Sequence, residues 1–551
     1  MAKRRTRHDR KTRPDPRRSS TIKLDTRQVY GNACRLVKNG EYQKARQLYD
    51  RLNAQVTDTQ LESLVCNDLA ALVALEGDVD RAQAGFQEAL AIDGSCEPAK
   101  LNLALLESPE WATNRSSGAS PAASLPSGPR GRNRRCKVAI LSFLFNWPST
   151  GGGIIHTVEL AQFLTQAGYE VQHLYACYAP WEIGGVNQPL PFPSKGLQFE
   201  ESTWNAAHIQ ERFREAVAEF DPDHVIITDS WNFKPLLADA VRDYPYILRF
   251  QALECLCPLN NVRLLPEPNG RFRQCGRHQL AAPGHCRRCL QERSHMSGGL
   301  HQAERKLSAV GTKEYDRVLR RAFEEAEAVF VVNPLAEAMV SPYADSVRVS
   351  PAGMDPARFP WPWPEEPRQL RSSDRTTLFF AGLVQEGIKG YHVLQEACVR
   401  LWQRRQDFEL VATGDPPGSV DAFTRFVGWQ SQEELPRYLR AADICVVPTI
   451  AQEALGRTAV EAMAVGRPVI ASRLGGLPFT ITDGMTGLLF EAGNAGDLAQ
   501  KIEILLNDHA LRERMGTAGR ERFERCFRWD VIIDRDYRPL LVPAQTRPTK
   551  G

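Results

Sequence analysis

No apolar run in this chain approaches the ~20 residues that a helix needs to span a bilayer, so no membrane-crossing helix is expected. No apolar segment follows the basic N-terminus, so no secretory signal is expected either. An excess of one charge is also missing. Lys and Arg total 69 against 66 Asp and Glu, a formal net charge of +3, which removes the general electrostatic case for a nucleic-acid partner. A cysteine framework is absent over most of the chain. Several of the 13 cysteines, among them Cys34, Cys66, Cys398 and Cys445, stand singly in apolar segments, the usage of a reducing compartment. The expected location is cytoplasmic, with peripheral attachment at the inner membrane face as its variant.

What is present is an ordinary globular composition, 42% hydrophobic and 25% charged over 551 residues, enough for about three to four domains. Residues 1–20 carry almost no apolar side chains and are expected to be a disordered, solubilising basic tail. Residues 21–107 read as helical repeats. Gly40, Tyr42, Ala45 and Tyr49 recur as Gly77, Val79, Ala82 and Phe86 at an offset of 37, with Ala33 and Ala70 ahead of them. This pattern resembles tetratricopeptide helix pairs, in which small residues let two helices approach and an aromatic fills the gap beside them. The module would either offer a groove to a protein partner or cap the rest of the chain. Residues 108–135 are rich in Ser, Pro, Gly and Ala and read as a flexible linker.

Beyond the linker, short apolar runs alternate with helical patterns, as in parallel α/β sheets. KVAILSF (Lys137–Phe143) leads into Gly151, Gly152 and Gly153 and a helix, an arrangement that lets backbone approach an anion. HVIITDSW (His224–Trp231) and YILRFQ (Tyr246–Gln251) end in polar residues on the strand edge that faces a ligand crevice. An insert at 252–292 holds Cys257, Cys275, Cys286 and Cys289 at spacings x17, x10 and x2, with His278 and His285 nearby. The C-x-x-C knuckle suits a structural zinc ion, with reduced or disulfide-linked cysteines as the alternative. Ala326–Pro334 reads as the last strand of this half.

The stretch Gln452–Asn494 organises the rest. Helical spacing through Val460, Met463 and Ala464 stops at Gly466 and Pro468, and PVIAS follows as a buried strand. Glu453 therefore lies in the loop before the helix, beside the unpartnered amides of Ala454, Leu455 and Gly456, which suit phosphate. A carboxylate next to such a site repels phosphate but accepts from sugar hydroxyls.

Glu453-x7-Glu461 with GRPVIAS, LGGLP and DGMTGLLF resembles the C-terminal half of the retaining GT-B glycosyltransferases, glycosyltransferase family 4, and the resemblance covers about residues 136–530. It implies an α/β protein of two Rossmann-like domains facing a cleft, preceded by the all-α repeat module. The domains would be an acceptor-side domain at 136–346, a donor-side domain at 347–525 and a crossover helix with tail at 526–551. The implied reaction moves a sugar from a UDP- or GDP-sugar to the hydroxyl of a glycan, lipid-linked or protein acceptor, with retention, in cell-surface glycan biosynthesis. No cofactor is required for it. Lys389 and Glu453 carry the catalytic roles by this resemblance. Gly152, Gly153, Gly382, Lys389, Gly428, Glu453, Ala454, Leu455, Gly456 and Glu461 would bind the donor, and His156 and Gln251 are acceptor or cleft candidates. Two positions depart from the pattern. Leu383 stands where relatives have an Arg on the donor diphosphate, leaving Arg457 or another residue to supply that cation, and Gln251–Ala252 replaces a His-Asp pair. Those departures keep in view a catalytically impaired scaffold whose repeats bind a partner; the same fold also serves nucleotide-sugar epimerases, against which the Glu453-x7-Glu461 block argues.

Overall fold

A computed structural model describes residues 29–30, 33, 42–53, 56, 58–75, 79–106, 135–149, 151–266, 272–363 and 367–543. The basic tail, nearly all of the linker, and Gly40 and Gly77 of the repeats lie outside them. The chain forms two compact units, Met1–Arg132 and Asn133–Gly551.

The described part of the first unit is helical, with helices at Tyr42–Asn53, Thr59–Leu75, Val79–Ile92 and Glu97–Leu106. Of the repeated positions, Ala45 and Ala82 are fully buried, and Tyr49 and Phe86 are buried to within 2%. A Cβ on Gly85 would lie 2.8 Å from the Cβ of Ala70, so a glycine there lets two helices touch. Asn102 Nδ2 donates to Asn67 Oδ1 at 2.9 Å, linking residues 35 apart.

The second unit contains two parallel sheets. The first has the order β3-β2-β1-β4-β5-β8-β9, with β1 Lys137–Ser142, β2 Glu170–Cys177, β3 Ser194–Gln198, β4 His224–Ile227, β5 Tyr246–Arg249, β8 Ala328–Val331 and β9 Val347–Val349. The second runs β12-β11-β10-β13-β14-β15, with β10 Thr376–Phe380, β11 Phe408–Ala412, β12 Thr424–Phe426, β13 Ile444–Val447, β14 Val469–Ser472 and β15 Gly487–Phe490. A small antiparallel hairpin, β6 Leu264–Pro266 with β7 Phe272–Gln274, lies in the cysteine insert. The central strands are buried along their whole length because helices cover both faces, which is why their sequences are apolar runs and not alternations.

In each sheet the chain winds outward from one strand and then returns to that strand's other side. The strand order therefore reverses between β1 and β4 and between β10 and β13, and ligand crevices in open α/β sheets form beyond the C-terminal ends of such strands. The first half ends later than the 346/347 boundary read from the sequence. Val347–Val349 pairs with Val329–Val331, so β9 and not Ala328–Val331 closes the first sheet.

Two chain crossings connect the halves, side by side. Met354 N–H donates to Phe527 O at 2.8 Å and Trp529 N–H to Met354 O at 3.3 Å. Gly353 passes so close under Trp529 that a Cβ there would lie 2.3 Å from the indole. Within the stretch read as a crossover helix with tail at 526–551, the α-helix of the returning segment is short: Trp529–Ile532 is α-helical and Ile533–Tyr537 is a π turn. Its Trp529, Ile532, Ile533, Tyr537 and Leu541 pack into the first half's core with Phe163 and Phe330.

Candidate active site

The loops that leave β10 and β13 face each other across the second crevice. Gly382, just past β10, donates its N–H to Thr413 Oγ1 at 2.8 Å and accepts from it at 3.0 Å. Leu383 follows and is 37% exposed, an apolar side chain where a cation was missing from the sequence pattern. Lys389 ends a single 3-10 turn, Gly387–Lys389, closed by Gly390 at φ +76°. Only glycine fits at 390, because a Cβ would lie 1.9 Å from Pro448 O. Thr449 Oγ1 and Ile450 N–H both donate to Ile388 O at 2.9 Å, which ties this loop to the one after β13.

That tie brings Lys389 Nζ to 2.9 Å from Glu453 Oε1. The Glu453 carboxylate raises the Lys389 pKa above its ordinary value against the opposing effect of partial burial, so the ammonium stays charged. The Glu453 loop is set by LGGLP: Gly476 N–H donates to Glu453 O at 2.8 Å, and a Cβ on Gly475 or Gly476 would strike Glu453 O or Ala454 O. From the other half, Asn333 Nδ2 donates to Ala454 O at 2.5 Å. The amides of Ala454, Leu455 and Gly456 meet no acceptor among the described residues. Gly456, at φ +78°, then opens the Arg457–Ala464 helix. Glu461, 3% exposed, lies 3.7 Å from Arg358 and 3.9 Å from Arg457, and its Oε1 accepts no hydrogen bond among the described residues. Gly428 lies apart on the β12 side at φ +70°, with open space about its α-carbon.

The first half presents the loops after β1, β4 and β5. The helix starts at Gly152 and runs to Gln166, and neither Gly152 nor Gly153 has a positive φ. These glycines provide space instead of an unusual backbone conformation. A Cβ on Gly152 would meet Arg457 Cδ at 3.3 Å, and one on Gly153 would meet Gln251 Oε1 at 2.5 Å and Asp229 Oδ2 at 3.4 Å. Gln251 thus reaches the crevice floor, its Nε2 donating to Thr157 Oγ1 while the buried Oε1 has no partner among the described residues. Asp229 was not singled out from the sequence. It follows β4, its backbone oxygen accepts from Phe143 and Leu144 N–H, and burial together with Glu254 pushes its carboxyl up to about 7. A polar residue directly after a buried apolar run was the available signal.

His156 is a correction. It lies in the first half's interior, 1% exposed, where its ring packs on Trp529 with centroids 4.9 Å apart. Arg249 Nε donates to its Nε2 at 3.1 Å, which puts the ring proton on Nδ1, and burial and Arg249 hold its pKa well below the ordinary value. Arg249 also binds Ser350 O at 2.7 Å, so His156 supports the crossing between the halves and does not face the cleft.

The four insert cysteines lie near one another. Cys275 and Cys289 pack on buried Cys257, and burial followed by the proximity of the other three pushes Cys286 up to about 12. All four are free thiols. Among the described residues no three His, Cys, Asp or Glu side chains are arranged to hold a metal ion. The insert meets the second half through Gln274 Nε2, which donates to Ile450 O at 3.2 Å. An open concavity of about 500 Å³ lies elsewhere, beside Tyr175, Asn187 and Phe192, and its lining carries no charged side chain. No helix among the described residues is long and apolar enough to cross a membrane.

Residues 364–522 match the family model "Glycosyl transferases group 1". A D-inositol 3-phosphate glycosyltransferase of Pseudarthrobacter chlorophenolicus is 35% identical over 216 residues, 35% of this chain. The chain spans about half the length of that relative, 51%. Sucrose-phosphate synthase from Thermosynechococcus elongatus shares the fold at a TM-score of 0.51 and 22% identity, over 72% of this chain and 96% of its own. Anabaena HepE in complex with UDP does so at 0.52 and 16%, over 72% and 97%. The second unit therefore has a GT-B-like α/β fold of two parallel sheets, and its residues 364–522 match the group 1 glycosyl transferase model.

Proposed function

We propose that the protein transfers a sugar from a nucleoside diphosphate sugar to an acceptor hydroxyl, with retention of configuration. The observation that carries this reading is the Lys389–Glu453 pair, 2.9 Å apart, beside three unpartnered amides at the reversal point of the second sheet. Cation and amides suit the departing diphosphate, where negative charge grows in the transition state. The Glu453 carboxylate suits the sugar hydroxyls, and Glu461 the ribose hydroxyls. The bond from the anomeric carbon to the acceptor oxygen forms as its bond to the diphosphate oxygen breaks, and the acceptor proton passes to the departing phosphate on the same face. Asp229 and Gln251, across the crevice, suit the acceptor.

HepE is described with UDP, and we take a UDP-sugar as the first donor to test, with a GDP-sugar second. The repeat-bearing unit supports a protein or peptide among the acceptors, beside glycans and lipid-linked ones. The scaffold alternative is disfavoured because the Lys389–Glu453 pair is intact. Thermal stability measured against UDP, GDP, ADP and TDP tests the proposal, on the protein and on Glu461→Ala. A nucleotide at 100 times its dissociation constant adds about 2.7 kcal/mol. A selective shift that the substitution abolishes is the expected result, and no shift with any nucleotide refutes the donor site.

A further inference from the structure

Two arginines sit between the halves, and they differ in how they are held. Arg358 is anchored: it donates to Glu159 Oε1 at 3.4 Å, to Gln432 O at 2.7 Å and to Gln432 Oε1 at 3.0 Å. Arg457 has no such anchors. Its Nη1 and Nη2 are both buried and make no hydrogen bond among the described residues. Its nearest carboxylates are Glu159 at 3.5 Å and Glu461 at 3.9 Å. Glu159 does not need it, since Trp529 Nε1 donates to the same oxygen at 2.9 Å and Arg358 to the other.

A guanidinium carries five N–H donors in a planar fork suited to two phosphate oxygens, and leaving such donors buried and unmet is unfavourable. Position adds the second argument. Arg457 is the first residue of its helix, directly after the unpartnered amides of Ala454, Leu455 and Gly456. Its aliphatic stem lies against Gly152, where a Cβ would come to 3.3 Å of Cδ. Charge bookkeeping supplies the third. Lys389 is the cation on the β10 side and is already paired with Glu453, while Leu383 offers none. A diphosphate bound here needs another cation, and Arg457, a partly buried side chain, offers two buried guanidinium nitrogens with unused donors.

Resting on the donor site proposed above, we infer that Arg457 grips the nucleoside diphosphate, from the helix N-terminus and the Gly152 side, in place of the cation missing at position 383. It is a binding residue for the phosphates and not for the base.

The test is binding of UDP, UMP and uridine to the full chain, to Arg457→Ala, to the neutral, polar Arg457→Gln, and to Arg457→Ala carrying Leu383→Arg. Where the nucleotide panel selects GDP, the guanine series replaces the uracil one. The expected result is a loss of UDP affinity of tenfold or more in both Arg457 variants, a change in uridine affinity below twofold, and recovery of UDP affinity when Arg is placed at 383. Unchanged UDP affinity, an equal loss for uridine, or no recovery with Leu383→Arg overturns the inference while leaving the donor site intact. A full chain that binds none of the series instead refutes the donor site itself. Arg457→Gln keeps the measurement open if the alanine variant does not fold.

Discussion

Asp229→Asn should stabilise the protein above neutral pH while removing a group from the crevice. The Asp229 carboxyl is pushed up to about 7 by burial and by Glu254, with Lys234 opposing. A raised carboxyl pKa gives stability that is fully present below the unfolded value near 4 and is lost as pH rises through about 7. At pH 5 the folded carboxyl is protonated and the unfolded one ionised. The two units from pH 5 to about 7, at ~1.4 kcal/mol each, make roughly 2.7 kcal/mol that wild type loses between pH 5 and 8 and the variant does not. Partial solvent exposure lowers this toward 2 kcal/mol. Glu304, also raised to about 7 by burial, is common to both chains and cancels in the difference. Urea unfolding of both proteins at pH 5 and pH 8 reads this quantity directly. The variant should gain on wild type by about 2–3 kcal/mol as pH rises. A gap between the two proteins that stays constant with pH would refute the argument. A carboxyl kept at such a cost on the crevice floor is what a functional role would explain, so acceptor use should fall in the same variant.

Lys389→Met should abolish the stabilisation by nucleoside diphosphate while lowering the unfolding temperature little, because an ion pair this accessible is worth about 1 kcal/mol or less; nucleotide-dependent melting curves check both halves of the statement. Trp529→Phe keeps most of the buried ring but removes the Nε1 donor to Glu159, a hydrogen bond to a charged group at 2.9 Å. It should cost about 1.5–3 kcal/mol in urea unfolding, and a loss under 0.5 kcal/mol would show that Arg358 and Arg457 satisfy that carboxylate without the indole.

Much of the fold was legible because both sheets are buried on two faces, so KVAILS, HVII and VIAS announce themselves as runs of apolar residues. The Glu453 loop was legible for a local reason: Gly475 and Gly476, which its backbone requires, lie within a few dozen residues of it. β9 was not legible as a strand of the first sheet. Its three residues are only half-buried, and nothing in VRV distinguishes an edge strand from a connection. The crevice floor of the first half was also hidden. Gly153 owes its lack of a side chain to Asp229 and Gln251, and Gly152 owes it to Arg457, partners separated along the chain by whole strands and helices. His156 was misplaced for the same reason. Its helix position left both faces open, and the deciding neighbours, Arg249 and Trp529, come from a different strand and from the far end of the chain.

The paired crossings at Met354 and Trp529 make the second half an insertion within the first. The first half begins at β1 and is completed only by Trp529, Ile532, Ile533, Tyr537 and Leu541, which seal its core after the whole second sheet has been made. During synthesis, the half that emerges first therefore matures last. It must wait with an open apolar face until the closing segment leaves the ribosome, while the later half holds its own core and can fold ahead of it. A lesion in the last segment is thus expected to act on the N-terminal sheet.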